Sequence, residues 1–137
     1  MEALLATEVR ANMSSFIDTV VREKPQAVRR NRDIIFAASR EHMRFFLSVY
    51  ELNFEYEQDE DGRYAGSIKE IDFIVADSET IEELRFELAR QLVEYSQDYI
   101  ANYPRYYNAP NTHAHAPYIV RVLLEDDVES VARLLHG

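Results

Sequence analysis

The chain lacks cysteine altogether and has very little glycine. None of its 137 residues is cysteine, which excludes disulfides, thiol nucleophiles and thiolate metal sites. Only three residues are glycine, which leaves little material for a glycine-rich loop that holds phosphate groups through its backbone. Several classes of enzyme are therefore excluded at the outset, and the absence of cysteine fits the reducing cytoplasm.

Export signals, membrane spans and common catalytic motifs are also missing. No apolar run approaches the roughly 20 residues that a transmembrane helix needs, and Met1 to Ala6 is too short for a signal peptide and carries the acidic Glu2. No P-loop, serine nucleophile elbow or dinucleotide-binding fingerprint occurs. We therefore expect a cytoplasmic protein that does not contact membranes, is not an enzyme and uses no cofactor.

The residues that are present give a globular composition with an uneven charge. Hydrophobic residues make up 47% of the chain and charged residues 29%, as in folded rather than disordered proteins. Residues 1–50 carry eight Lys and Arg against six Asp and Glu, a net of +2, whereas residues 51–137 carry seven against nineteen, a net of −12. This split predicts two units with different partners, phosphate for the first and a basic protein for the second.

Residues 1–50 are expected to form a β-α-β-β-α unit. The predicted elements are a short strand at 2–6, a helix capped by Thr7 and stopped by Pro25, strands at 26–30 and 34–38, and a second helix capped by Ser39. The first helix carries one apolar stripe from Val9 to Val21, which we expect to face a core. Fifty residues bury too little apolar surface to be stable alone, so we expect a homodimer or higher oligomer, with Met43, Phe46 and Leu47 near the contact.

Residues 51–137 are expected to form a β-β-β-α-β-α unit, which makes the whole chain an α+β protein. Asp61-Gly62 predicts a hairpin turn, and Thr80 with Glu83 has the spacing of a capping box. The predicted elements are a strand through Phe54 and Tyr56, strands at 64–68 and 73–76, a helix through Tyr99, a loop at 102–117, a strand at 118–124 and a closing helix capped by Asp126 or Asp127.

The first unit resembles the Phd/YefM antitoxin family. The resemblance rests on Ala6-Thr7-Glu8-Val9-Arg10-Ala11-Asn12-Met13-Ser14-Ser15-Phe16-Ile17, then Val28-Arg29-Arg30-Asn31 and Asp33-Ile34-Ile35-Phe36-Ala37-Ala38. That family shows an A/T-E-A-R-x-N-F-S-x-L/I run on its first helix, then a hairpin with a basic turn and a second helix. Arg32 departs from the pattern, since the family has glycine or a small residue near Asn31.

The second unit is similar to the HicB antitoxin fold. The residues concerned are Asp59-Glu60-Asp61-Gly62-Arg63-Tyr64-Ala65-Gly66-Ser67-Ile68-Lys69-Glu70 and Ala76-Asp77-Ser78-Glu79-Thr80-Ile81-Glu82-Glu83-Leu84. HicB proteins have a proline after the second strand, which Lys69-Glu70-Ile71 lacks, and a glycine where this chain has Ala76. In both families the fold belongs to a protein that neutralises a toxin.

Arginines in the first unit predict a DNA-binding surface. Arg10 lies off the apolar stripe, near the start of the first helix, where backbone N–H groups favour phosphate, and the arginine that matches it in Phd/YefM-like proteins contacts operator DNA, as does the one matching Arg29. Arginine suits bidentate contacts with phosphate or guanine. The predicted DNA-binding residues are Thr7, Arg10, Asn12, Arg29, Arg30 and Arg32. The alternative is an ordinary solvated basic turn.

The second unit holds a segment suited to binding a protein partner. Tyrosine and arginine dominate interface hot spots because they combine large area with a polar tip, and the segment offers Tyr103, Arg105, Tyr106 and Tyr107. The alternative is that these tyrosines pack back onto their own unit.

The pattern as a whole predicts a type II antitoxin. It would dimerise and bind operator DNA through residues 1–50, and neutralise a basic ribonuclease toxin of RelE/ParE or HicA type by covering it with residues 51–137. One alternative is a metal-dependent or other enzyme that uses His113 and His115 with Asp126 or Asp127. Another is an interaction domain with no DNA role.

Overall fold

The computed structural model describes all 137 residues, which divide into two compact units, Met1–Phe46 and Leu47–Gly137. These ranges are called the first and the second unit from here on. The boundary lies four residues before the expected one, and no charged residue lies between the two positions, so the net charges of +2 and −12 apply to the observed units as well. The chain is an α+β protein, and none of its helices combines the length and apolar character that a membrane span requires.

The first unit is a three-stranded sheet with three helices. Its elements are β1 (Leu4–Leu5), α1 (Ala6–Ala11), α2 (Met13–Arg22), β2 (Gln26–Arg30), β3 (Asp33–Ala37) and α3 (Arg40–Leu47). The strand order is β1-β2-β3, with β1 parallel and β3 antiparallel to β2. Asn31 lies in the β2–β3 turn with φ of 55°, a left-handed conformation that asparagine tolerates better than most residues.

The predicted first helix is wrong in one respect, because Asn12 divides it into α1 and α2. Asn12 has φ of −132° and ψ of 45°, and its side-chain amide donates to the Glu8 carbonyl at 3.3 Å, a local bond that competes with helix continuation. Thr7 does not cap the helix, since the N-cap position is Leu5, which makes no side-chain capping bond. Arg10 therefore lies in the last turn of a six-residue helix rather than the first turn of a long one.

In the second unit, helices cover one face of a four-stranded sheet. Its elements are β4 (Leu52–Gln58), β5 (Tyr64–Ile68), β6 (Ile71–Ser78), α4 (Ile81–Ala101), α5 (Tyr103–Asn108), a 3₁₀ turn (His113–His115), α6 (Ala116–Leu123), α7 (Val128–Leu134) and β7 (Leu135–His136). The order is β6-β5-β4-β7, antiparallel except that β7 runs parallel to β4. Leu52, Ile68, Leu84, Leu88 and Leu92 are fully buried between the sheet and α4.

Two glycines set the geometry of the second unit's sheet. Gly62 has φ of 83° in the β4–β5 turn, where the Asp59 carboxylate accepts backbone bonds from Asp61 and Arg63 at 2.9 Å each. At Gly66, in the middle of β5, an added Cβ would lie 2.5 Å from the Glu55 carbonyl oxygen and 3.0 Å from the Leu84 side chain. The helix α4 therefore approaches the sheet directly over Gly66.

The expected strand at 118–124 is wrong, because residues 118–123 belong to helix α6 and Leu124 is its C-cap. Ile119 and Val122 are its buried side chains, a spacing of three that indicates a helix, whereas a strand would bury alternate residues. Pro117 occupies the first turn, where its missing N–H costs nothing. The expected loop at 102–117 is also wrong in part, since it contains α5 and the 3₁₀ turn.

Both predicted caps in the second unit are confirmed. The Thr80 hydroxyl accepts from the Glu83 N–H at 3.1 Å at the start of α4. The Asp127 carboxylate accepts from the Ser130 N–H at 2.7 Å at the start of α7. Hydrogen bonding to Ser130, first through its side chain and then through its backbone N–H, lowers the pKa of Asp127.

Candidate functional site

The sheet of the first unit brings the start of α1 and the arginine-rich turn to the same end. Because β1 is parallel to β2 and Leu5 lies opposite Arg29, the two strands end side by side. Helix α1 starts at Ala6, directly after β1, while β2 continues into the turn through Arg30 and Asn31. Thr7 and the turn therefore share this end of the sheet.

The predicted DNA-binding residues are all on the surface. Arg10, Arg29, Arg30 and Arg32 are exposed, and no ion pair links their guanidinium groups to a carboxylate. Arg22 of α2 differs, since it lies 3.9 Å from the Asp18 carboxylate. The basic end therefore offers unpaired cations, the arrangement that phosphate contacts require.

The six residues do not all lie equally close to the basic end. Arg10 is four residues beyond the start of α1, about 6 Å further along the axis at 1.5 Å per residue. Asn12 follows the end of α1 and its amide group is bound to the Glu8 carbonyl. Thr7 and the turn arginines thus form the inner part of the basic end, and Arg10 and Asn12 its margin.

The first unit also exposes many apolar side chains. Met13, Ile17 and Val21 are spaced by four along α2 and are each about half exposed, so the stripe expected to face the core buries only Val9 and Val20. On the edge strand β3, Ile35 and Phe36 are also exposed. So much uncovered apolar surface is unusual for a monomer.

The residues of α3 expected near a dimer contact, and their neighbour Phe45, differ in exposure. Met43 and Leu47 are half-buried, whereas Phe45 is 74% exposed and Phe46 46%.

The tyrosines of residues 103–107 pack back onto their own unit, which is the alternative stated from the sequence. Tyr106 stacks on Tyr99 of α4 with ring centroids 5.1 Å apart, and Tyr103 stacks on Tyr107 at 5.0 Å. The Tyr106 hydroxyl donates to the Asp98 carboxylate, which raises the pKa of Tyr106. Arg105 and Tyr107 remain exposed, so a partner would reach only part of the predicted set.

The two histidines of the enzyme alternative are engaged separately. His113 Nδ1 lies 2.5 Å from the Tyr107 carbonyl oxygen, and the buried His115 bonds through Nδ1 to the Tyr95 hydroxyl at 2.8 Å. No group of three or more His, Cys, Asp or Glu side chains is placed to hold a metal ion. The proposed ligand set with Asp126 or Asp127 is therefore wrong.

Helix α4 carries a row of acidic side chains, which holds part of the second unit's negative charge. Arg90 donates to Glu87 and to Glu94 at 2.6 Å each, and this hydrogen bonding lowers the pKa of Glu87. Glu83 and Asp98 lie on the same side of the helix at spacings of four from Glu87 and Glu94. The Arg90 guanidinium thus pairs with two carboxylates, and the row of four carboxylates keeps a net negative charge.

Comparisons with known proteins agree over the whole chain. A family model named PHD-like, described as antitoxin of toxin-antitoxin, RelE/RelB, TA system, matches residues 1–137. A crystal structure of the antitoxin part of a proposed toxin/antitoxin system from Syntrophomonas wolfei subsp. wolfei has 40% sequence identity and a TM-score of 0.90, covering 99% of this chain and 97% of that chain. No curated relative matches. Both likenesses extend over the two units rather than the first alone.

Proposed function

Because this chain belongs to the PHD-like antitoxin family of RelE/RelB toxin-antitoxin systems, we propose that it is a homodimeric antitoxin that binds operator DNA and covers a basic ribonuclease toxin in the cytoplasm. That it is an antitoxin of a toxin-antitoxin system follows from the family and from the similar structure. Dimer formation, binding to operator DNA and the identification of the toxin as a ribonuclease are our proposal. Likeness to Phd/YefM in the first unit and to HicB in the second remains a prediction.

The observation that carries the DNA-binding proposal is the basic end of the first unit. Arg29, Arg30 and Arg32 lie beside the start of α1 and Arg10 lies at the margin of this end, and all four are exposed without carboxylate partners. Contacts with phosphate release counterions, so the affinity should fall steeply as salt increases. The affinity should also be modest, since each chain brings a net charge of −10 to the complex.

Operator binding tests this surface with a matched control. Arg10→Ala and Arg29→Ala should each weaken binding to the DNA upstream of the operon by roughly threefold to tenfold and reduce the salt dependence. Arg22→Ala removes an exposed arginine of the same unit that is already paired with Asp18, and it should change affinity by less than about twofold. Equal affinity for all three variants would favour an antitoxin that binds only protein.

The dimer is proposed from the apolar surface of the first unit. The unit buries few apolar side chains while Met13, Ile17 and Val21 form an exposed stripe on α2, and burial of such a stripe against a second copy would provide the missing core. Ile17→Lys should convert a dimer into a monomer in light scattering. Ser15→Lys, on the opposite side of α2 at 100° per residue, should not. A wild-type monomer at micromolar concentration would contradict the proposal.

The toxin is proposed to be a basic ribonuclease of RelE/ParE or HicA type. A ribonuclease needs a cationic surface to hold its RNA, and the second unit, with a net charge of −12, would attract and cover that surface. Neutralisation would be occlusion, not chemistry. Co-expression with the protein encoded by the neighbouring reading frame, which the proposal expects to be small, basic and toxic, should restore growth and give a stable complex. Failure of both would remove the ribonuclease part of the proposal.

A further inference from the structure

Strand β6 is an uncovered edge of the second unit's sheet. In the order β6-β5-β4-β7, β6 has a neighbour on one side only, and the other edge is the two-residue strand β7. Its regular part, Val75 to Ser78, pairs with Ser67 to Tyr64 of β5, and an irregularity follows between this part and Ile71. The outward N–H and C=O groups of such an edge are a template for a further strand.

A groove runs between this edge and helix α4. Two depressions of about 510 and 520 Å³ meet at Gln91, whose side-chain amide donates to the Val75 carbonyl at 3.0 Å. Val75 is 57% exposed and Phe73 is 54% exposed. The groove therefore places the edge backbone, which is unpaired apart from the Val75 carbonyl that a further strand would take over from Gln91, beside half-exposed apolar side chains, and strand-adding recognition sites combine the same two features.

The wall of the groove is acidic. Its charged lining residues are five carboxylates and one guanidinium, namely Asp77, Glu83, Glu87, Glu94, Asp98 and Arg90. Arg90 is shared between Glu87 and Glu94, and Asp77 is paired with Arg63 at 3.2 Å. Glu83 has no cationic partner, and the Asp98 carboxylate is bound only by the neutral side chains of Tyr106 and Asn102.

We propose that an extended basic segment of the toxin adds to β6 as a fifth strand, with its Lys and Arg side chains against the carboxylates of α4. This inference rests on the proposed toxin-binding function and names the surface that performs it. A second copy of this chain is disfavoured as the occupant, because it would bring its own acidic groove against this one, and like charges at an edge oppose pairing. A basic strand gains backbone bonds and charge pairing together.

Two substitutions in the full chain test the inference, each with a control of the same chemistry. Val75→Lys places a cation at the edge, and Ile100→Lys does the same on an exposed part of α4 outside the groove. Glu83→Lys reverses a charge in the first turn of α4, and Glu129→Lys does so in the first turn of α7. Thermal unfolding is measured for all four, so that a loss of binding is interpreted only for folded protein.

Binding is measured to the purified product of the neighbouring reading frame, which the proposed function expects to be the toxin. Val75→Lys should weaken the complex by about tenfold or more, and Glu83→Lys by several-fold at low salt, while the controls stay within about twofold of wild type. Hydrogen–deuterium exchange should show protection of amides 72–78 when the toxin is added.

The contrary outcomes are distinct. Wild-type binding that survives both groove substitutions, or protection that appears elsewhere, overturns the β6 inference and leaves the antitoxin function in place. Protection of 72–78 in the chain alone that increases with concentration identifies a second copy as the occupant and also overturns it. No binding by wild type overturns the proposed ribonuclease partner together with this inference.

Discussion

The Tyr95 hydroxyl of α4 lies 2.8 Å from Nδ1 of His115. His115 is buried, and the rings of Phe73 and Tyr95 each lie with their centroids 5.8 Å from its own. Burial lowers the pKa of His115 from its ordinary value of 6.5, and the nearby Asp72 opposes this in part. The imidazole is therefore held neutral, joining α4 to the turn before α6.

This neutral histidine gives the second unit a pH-dependent stability. The unfolded chain binds the proton of His115 more readily than the folded chain does, so the contribution is fully present above about pH 6.5 and is lost as the pH falls through the lower folded pKa. Urea unfolding at pH 7 and at about pH 5 should show a larger loss of stability for wild type than for His115→Gln. His113→Gln, an exposed neighbour, should behave like wild type, and identical pH profiles for all three would contradict this account.

The buried Tyr99 lies at the centre of a cluster of tyrosines, since its ring contacts the rings of Tyr95, Tyr103 and Tyr106. Its hydroxyl donates to the Thr112 carbonyl at 2.9 Å, so Tyr99→Phe should lower the free energy of unfolding by about 1 kcal/mol. Tyr56→Phe, at a partly exposed position on β4, should change it by less than about 0.5 kcal/mol. Chemical denaturation compares the two variants, and equal effects would mean that the Tyr99 bond contributes nothing.

Thr7 and Thr80 both lie near the start of a helix, but replacing them with alanine should change the stability by different amounts. Thr80 caps α4 through its bond from the Glu83 N–H, so Thr80→Ala should cost about 1 kcal/mol. Thr7 lies inside α1 without a capping role, so Thr7→Ala should be nearly neutral for stability. Thermal unfolding of both variants is the measurement, and a larger loss for Thr7→Ala would refute the observed helix boundaries.

Substitution of the two sheet glycines separates backbone strain from steric clash. Gly62→Ala forces alanine into a positive φ but leaves space for its Cβ, so it should cost about 1 kcal/mol. Gly66→Ala places a Cβ against the Glu55 carbonyl and Leu84, so it should cost about 3 kcal/mol or prevent folding. The order of their denaturation midpoints tests this, and the reverse order would show that the sheet can yield at Gly66.

The sequence predicted correctly the secondary-structure elements that neighbouring residues determine. The β4–β5 hairpin followed from Asp61-Gly62, and the start of α4 followed from the Thr80 cap. Helix α6 was mispredicted because Ile119, Val120 and Val122 favour a strand when read alone. Packing against the core decided the outcome, and only Pro117 in the first turn indicated a helix beforehand.

Only part of the candidate site could be predicted from the sequence, because the rest depends on how distant segments pair. The basic residues of the first unit could be selected by type, and their exposure is visible in the structure. Their common position at one sheet end depends on the β1–β2 register, which no local pattern specifies. The acidic groove exists because β6 lies at the edge of the sheet. In the sequence β6 is the third strand of the second unit, and this order does not show that its outer side is uncovered.

The parallel pairing of β7 with β4 has a consequence for how the chain folds. It joins Leu52 to Leu135, about eighty residues apart, so the conformational search that forms it is longer than the one that forms the β4–β5 hairpin. Strand β7 is synthesised after every other strand of the sheet, and until then Leu52 and Asn53 of β4 lack their pairing partners. A nascent second unit therefore has these two residues of β4 exposed in addition to the β6 edge, and its sheet is more open to misfolding and to proteolysis until β7 pairs.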